Sequence, residues 1–210
     1  HNYKNTFLRI VSFPGSASGT VNLSFNSQPS GPGNYPRVLD IGGDFEKGVY
    51  VVGAHNGDAA IGRWLTNGNV DLNFGNNGFL SFANIDSFTA VLVQTDDKVL
   101  VASKNQIIRL FPDWSTDPSF QLSAGISGIR DLSLSPDDQI VVHTLSGISV
   151  LLDDGQLDNS FGNAGTLAFS NFREIQMLPD GNVMVLYNQT NHFATLQKLS
   201  PQGVLLETFN

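Results

Sequence analysis

Cysteine is absent from the 210 residues, which excludes disulfides, thiolate nucleophiles and thiolate metal sites. Charge is scarce as well: Asp, Glu, Lys and Arg make up 14%, against about a quarter in an average globular chain. The 11 Lys and Arg are outnumbered by 19 Asp and Glu, for a net charge of −8. Scattered cations on an acidic chain exclude the basic groove that nucleic acid requires. No apolar run approaches the roughly 18 residues that span a bilayer, so no membrane span is expected. No segment combines a 3.6-residue apolar period with caps, so almost no helix is expected. No signal peptide is read. The sequence opens on His1, which is read as a processed or trimmed form with room for a larger parent protein or an oligomer.

What replaces charge is turn chemistry. Gly (21 residues), Asn, Ser and Asp punctuate a chain that is 40% hydrophobic, the composition of many short strands joined by tight turns. One short pattern recurs and ends each time on a phenylalanine: Phe25, Phe74, Phe120, Phe161 and Phe209, which lie 49, 46, 41 and 48 residues apart. Six residues before each stands Gly19, Gly68, Trp114, Gly155 or Gly203. Glycine there supplies the positive φ of a tight turn. A second motif falls between the anchors, as Asp96-Asp97, Asp137-Asp138 and Asp180-Gly181, with a degenerate copy at residues 45–48. Each precedes a β-branched run, the mark of a hairpin.

The repeat resolves into four strands, named a to d. Strand a is an apolar run such as residues 90–93 or 129–134. The Asp-rich turn leads into strand b (residues 49–52, 99–101, 140–142, 183–185). Strand c follows at residues 60–65, 107–111, 148–152 and 194–199, then the Gly turn and the Phe anchor. Strand d is read at residues 78–82 and 165–169, weak after Phe120, and missing from the last unit. Four strands in about 46 residues is the size of a propeller blade, and such a sheet hides both faces only against copies of itself. The expected fold is therefore all-β: a β-propeller of four-stranded blades, about four to five in number, or an arc of a larger ring. A single domain over residues 1–210 is expected, with a half unit at 1–25 and repeats at about 26–74, 75–120, 121–161 and 162–209. A ring would close if the N-terminal segment supplied a missing outer strand.

The run from Arg63 to Gly78, RWLTNGNVDLNFGNNG, resembles the bacterial delta-60 repeat, as does Leu157 to Gly165 with its Asp-Asn-Ser-Phe-Gly-x-x-Gly. Leu178-Pro179-Asp180-Gly181-Asn182-Val183 resembles the other signature of that family, a Pro-Asp-Gly turn. The resemblance covers about residues 39–210 and, loosely, those before. It implies a β-propeller in an exported or cell-surface bacterial protein (secreted, periplasmic or surface-attached), and it implies no activity. The unit ending at Phe120 departs from the pattern, with Trp114 for the turn Gly, Pro118 inside the motif and Gln121 for the following Gly.

No catalytic constellation stands apart from the repeat. His1, His55, His143 and His192 form no metal-ligand spacing, and His143 is expected at a surface or edge. The Asp pairs recur in register with hairpin turns, where Asp bonds its own backbone. The alternation from Asn67 to Asn73 lacks the Gly and the bidentate Glu of a calcium loop. No nucleophile elbow or phosphate loop occurs. The sequons at Asn22 and Asn188 matter only in a eukaryotic secretory host. Neither catalytic residues, a metal nor a cofactor is expected.

The leading expectation is a non-enzymatic binding or scaffolding module that recognises a protein or glycan through loops. The least repetitive loops are residues 28–36, 55–58 and 189–192, with His55, Asn56 and His192 as candidate contacts. Trp114 is the fourth candidate: either it is exposed, to stack on a sugar or anchor a partner, or it folds over its own turn. Two alternatives stay open. One is a hydrolase or lyase using Arg37, Arg130, Arg173 and Glu174 at an axial mouth; the other is a purely structural tip or spacer.

Overall fold

The computed structural model describes residues 37–44, 47–55, 57–188 and 194–209. They form fifteen strands in four antiparallel sheets, with no helix among the described residues. Blade 1 comprises β1 (Arg37–Asp44), β2 (Gly48–His55), β3 (Asp58–Trp64) and β4 (Phe79–Phe82). Blade 2 has three strands, β5 (Ala90–Val93), β6 (Val99–Ala102) and β7 (Ile107–Leu110). Blade 3 comprises β8 (Ile129–Leu134), β9 (Ile140–Thr144), β10 (Gly147–Leu151) and β11 (Thr166–Ala168). Blade 4 comprises β12 (Phe172–Met177), β13 (Val183–Asn188), β14 (Ala194–Leu199) and β15 (Leu205–Phe209). Each strand pairs with its neighbour in sequence. Strand d shares a sheet with the a–c strands before it, so a Phe-to-Phe unit runs across two sheets.

The turns form for the reasons their residues imply. Between strands a and b, Asp97, Asp138 and Gly181 all take the left-handed conformation, with φ of 67°, 59° and 78°. Their amides donate to Gln94, Ser135 and Leu178 carbonyls at 3.1, 3.1 and 2.9 Å. Asp96 Oδ1 accepts from the Lys98 amide, and Asp180 Oδ1 accepts likewise from Asn182. The acidic pairs are thus turn formers.

Strand alternation then distributes the apolar side chains. In β6, Val99 and Val101 pack toward blade 1, and Leu100 and Ala102 pack toward blade 3. In β9, Ile140 and Val142 face blade 2 while Val141 faces blade 4. A strand buried on both faces has to be apolar throughout, which explains the unbroken Val/Ile runs. Three clusters result, one at each junction of consecutive blades. Each contains one anchor: Phe74 between blades 1 and 2, Phe120 between 2 and 3, Phe161 between 3 and 4. They are 0%, 6% and 6% exposed, each contributing about 2–3 kcal/mol by area. The innermost strands meet along the axis: β5 lies against both β1 and β8, and the Val91 amide donates to Asp40 Oδ2 at 2.9 Å. Sheets stacked face to face in sequence, with first strands innermost, are the blades of a β-propeller.

Two irregular blades have local causes. Strand d starts where Phe-Gly-x-x-Gly folds back. Gly75 and Gly162 there have φ of 51° and 53°, and a Cβ would run into the Phe79 and Thr166 carbonyls. Blade 2 carries Gln121 at that place and makes no fourth strand. Its chain crosses instead to blade 3, where the Gln121 and Ser123 amides donate to the Asp154 and Gly155 carbonyls at 2.8 and 3.0 Å. Blade 4 reverses the expectation that it lacks strand d: β15 pairs with β14. In blades 1 to 3 an Asp three residues before the anchor bends the chain by capping it: Asp71, Asp117 and Asp158 accept the Asn73, Ser119 and Ser160 amides. Blade 4 has Leu206 in that place, so no cap forms and the segment stays extended.

Candidate functional site

Antiparallel order sets two ends to the propeller. The a–b and c–d turns lie at one end, and the b–c and d–a connections lie at the other. Trp114 belongs to the turn end. His55, the last residue of β2 and the register partner of Asp58, belongs to the loop end. Asn56 and His192 lie outside the described residues, as do residues 28–36. The fold therefore separates Trp114 from His55.

At the turn end the c–d turns of blades 2 to 4 seat on the preceding blade. Gly155 (φ 87°) has the Gln121 carbonyl oxygen 2.7 Å from where a Cβ would stand, and Gly203 (φ 80°) has the Leu167 side chain at 2.6 Å. Trp114 takes the same backbone conformation, φ 69°. Its half-buried indole takes neither of the two places the sequence left open, the exposed anchor or a fold over its own turn. It lies edge to face against Phe74 of blade 1, centroids 5.0 Å apart. The Arg63 guanidinium sits 5.7 Å from the indole and 5.7 Å from Tyr50 on its other side. Such contacts are worth about 0.5–2 kcal/mol. Trp114 joins two blades.

The same end holds ion pairs between described residues. Arg63 reaches Asp71 at 3.0 Å. Arg109 reaches Asp117 at 2.8 Å with both side chains almost wholly buried. It stacks on Phe120 at 4.9 Å and donates to the Asp153 carbonyl of blade 3 at 2.6 Å. In blade 3, Val150 stands where the arginines do, and Asp158 takes the Gln139 amide nitrogen at 2.7 Å instead. Burial raises the Asp117 carboxyl, but bonds from Ser119 and Arg109 outweigh it and hold the group below the usual range. Ser160, then Gln139, lower Asp158. Lys198 and Asn182 pull Asp180 down to about 2. Carboxylates so committed as acceptors are poor proton shuttles at neutral pH.

The loop end is differently made. Register shifts place β-bulges at the starts of three innermost strands, at Leu39, Arg130 and Arg173. A bulge re-aims the side chain it carries, and Arg130 and Arg173 are exposed, as are Lys104 and Asn105 on the loop between β6 and β7. Leu145, at the tip of the β9–β10 hairpin, is 68% exposed. The Lys104 carbonyl accepts the Ile129 amide at 2.8 Å, which ties that loop to the start of blade 3. Neither Arg130 nor Arg173 forms an ion pair with another described residue. The side chain of Arg37 is outside the description, and Glu174 is exposed at the register position of Asp131 and Asp40.

One polar pair escaped the sequence reading. Ser133 Oγ lies 2.8 Å from His143 Nε2, on the face of blade 3 that looks to blade 4. His143 is half-buried rather than at an edge. The hairpin register was the available signal: the 135–138 turn sets Asp131 opposite His143, with Ser133 on the same face. Among the described residues no group of three His, Asp or Glu is placed to hold a metal, and no helix is long and apolar enough to cross a membrane.

No family model matches the sequence, and no curated protein matches it. Solved structures do. A protein of unknown function from Bacteroides caccae is 12% identical with a TM-score of 0.55, over 86% of this chain and 62% of that one. The extracellular domain of a one-component system from B. thetaiotaomicron is 11% identical with a TM-score of 0.54, over 83% and 24%. The extracellular domain of a hybrid two-component system from the same organism is 15% identical with a TM-score of 0.53, over 83% and 22%. The chain thus spans less than two thirds of the first and under a quarter of the other two. At these identities the likeness is one of fold.

Proposed function

We propose that this chain is a non-enzymatic recognition module of an exported or surface-attached bacterial protein, built of delta-60-type repeats, which engages a protein or glycan through its loop end. The observation that carries the reading is a division of labour between the two ends. At the turn end, the acidic turns, arginines, anchors and Trp114 are consumed in holding blades together. At the loop end, bulges present Arg130 and Arg173 beside the exposed Lys104 and Leu145, with no described ion pair to either arginine. Exposed side chains presented on a rigid scaffold are what a binding surface requires. The extracytoplasmic placement draws on the repeat resemblance and on the two Bacteroides extracellular domains of like fold.

The test is a glycan array together with a screen of purified surface proteins, run on the wild type and on an Arg130→Ala/Arg173→Ala/Leu145→Ala variant that keeps its unfolding midpoint. Binding by the wild type that drops at least tenfold in the variant supports the reading. Ligands held equally well by both place recognition elsewhere. Turnover of chromogenic glycosides or esters that disappears in Ser133→Ala would replace it with the hydrolase alternative, which the Ser133–His143 pair favours.

A further inference from the structure

We propose that the trailing face of blade 4, the face turned away from blade 3, is an association surface for blade 1 of a second copy of this chain. The inference rests on the fold and not on the loop end.

In blades 1 to 3 the trailing face is covered by the next blade. In blade 2 that face carries Ala90, Leu100, Ala102, Ile107 and Phe120, none more than 7% exposed, with Leu92 packed against them. Register carries Leu100, Ala102 and Ile107 to Met184, Leu186 and Leu196 in blade 4, the sequence repeat puts Phe209 at the anchor, and Glu174 and Gln176 of β12 take the places of Ala90 and Leu92. Met184 pairs with Lys198 as Leu100 pairs with Arg109, and Leu186 pairs with Leu196 as Ala102 pairs with Ile107. Met184, Leu186, Leu196 and Phe209 have kept apolar side chains, while the inner strand has become polar. None of them is buried: Met184, Leu186 and Leu196 are intermediate, and Phe209 is 41% exposed. The apolar patch therefore runs across β13, β14 and β15 and stops at the polar β12, and an exposed apolar patch with a large aromatic at its rim is the mark of an interaction site.

What such a face accepts can be read from the three junctions already made. Each covering blade offers its first two strands, as blade 3 does with Leu132, Ile140 and Val142. The matching positions in blade 1 are Ile41, Val49 and Val51, apolar at every place. Ile41 is 38% exposed. The two ends of the row of blades are therefore the two halves of one repeating interface. A surface that fits the opposite end of its own chain makes head-to-tail, heterologous contacts between copies. The opposed ends supply both the shape and the residues of that contact.

The experiment is light scattering coupled to size exclusion on the 210-residue chain, on Phe209→Asp and on Ile41→Asp. Both substituted side chains are already partly exposed, so unfolding midpoints near wild type are expected; Phe209→Ser and Ile41→Ser stand in if either aspartate variant fails to fold. The wild type is expected at no less than twice the monomer mass, and each variant alone as a monomer. Mixed in equal amounts, the two variants are expected to associate again, because one retains an intact blade 4 face and the other an intact blade 1 face. A wild type that is monomeric, as when other residues of this chain or a different protein fill the face, overturns the proposal. So do variants that remain associated, and so does a mixture that stays monomeric.

Discussion

Arg109 and Asp117 meet inside the protein, with Nε and Nη2 of the guanidinium each 2.8 Å from the same carboxylate oxygen. Only 2% and 1% of the two side chains remain exposed. A charge buried this deeply is tolerable because its partner is held in place, and Asp117 is fixed twice over by the Ser119 amide and hydroxyl at 2.9 and 2.6 Å. Removing Arg109 strands the buried Asp117 carboxylate, and removing Asp117 leaves the guanidinium only Asp153, whose side chain is 75% exposed. Asp117→Ala is expected to cost about 3–5 kcal/mol and Arg109→Met a similar amount. The double variant is expected to lose less than the sum, since no charge is left unpaired. Asp71→Ala is expected to cost less, because 20% of the Arg63 side chain still meets water. Urea denaturation midpoints decide it: additive losses at 109 and 117 would show the pair to be uncoupled.

The c–d turns supply a second comparison. Gly68 and Gly155 share the left-handed backbone, but a Cβ on Gly68 meets nothing within 4 Å while one on Gly155 meets the Gln121 carbonyl. Gly68→Ala is expected to cost about 1 kcal/mol, the price of the conformation alone. Gly155→Ala is expected to cost roughly 2 kcal/mol or more, because blade 2 has to shift as well. Trp114→Gly relaxes the backbone yet loses an indole packed on Phe74, so a net loss of about 1–2 kcal/mol is expected. Equal costs at Gly68 and Gly155 in thermal melts would contradict the seating of the blade 3 turn on the blade before it.

Much of this architecture is legible in the residues. Alternation and turn chemistry are local, so the strands, the Asp-rich hairpins and the recurring anchors follow from spacing alone. The missed features depend on neighbours distant in sequence. Trp114 reads as a lone departure until Phe74 and Arg63 of the preceding blade are placed beside it. His143 reads as a strand-end residue until Ser133 appears across the hairpin. The fourth strand of blade 4 is hidden in the repeat because strand d elsewhere follows the anchor, whereas here Leu206 replaces the capping Asp and the segment up to Phe209 stays extended and pairs with β14. Of the four candidate contacts, Trp114 alone has a described side-chain environment, and that environment is an inter-blade junction.

The anchors separate position from residue type. Phe74 is fully buried between blades 1 and 2, whereas Phe209 is 41% exposed in β15. Phe74→Ala is expected to lose about 3–5 kcal/mol, combining transfer and cavity costs. Phe209→Ala, measured in the monomeric state, is expected to lose about 1 kcal/mol, because the ring is only partly covered and no cavity forms. Chemical denaturation of both variants checks this, and a large loss at 209 in the monomer would show its face to be covered within the chain.

The carboxylates make acid the weak side of this fold. Asp96, Asp113, Asp117, Asp158 and Asp180 are all held below the ordinary aspartate value, which is about 3.9 in an unfolded chain. A group whose folded pKa is depressed contributes stability that is present above its unfolded pKa and lost as pH falls through the folded one. For Asp180 that lower limit is about 2. The urea midpoint is therefore expected to hold level from neutral pH to about 5 and to fall between about 4 and 2. Asp158→Asn is expected to flatten part of that slope, since Ser160 and Gln139 no longer favour an ionised group there. At the alkaline end burial raises the Tyr187 phenol. The folded state then keeps its proton longer than the unfolded state, and stability is lost as pH rises above about 10. Tyr187→Phe removes that loss. A midpoint that stays constant from pH 5 down to 2 would show that these bonds do not favour the ionised carboxylates in solution.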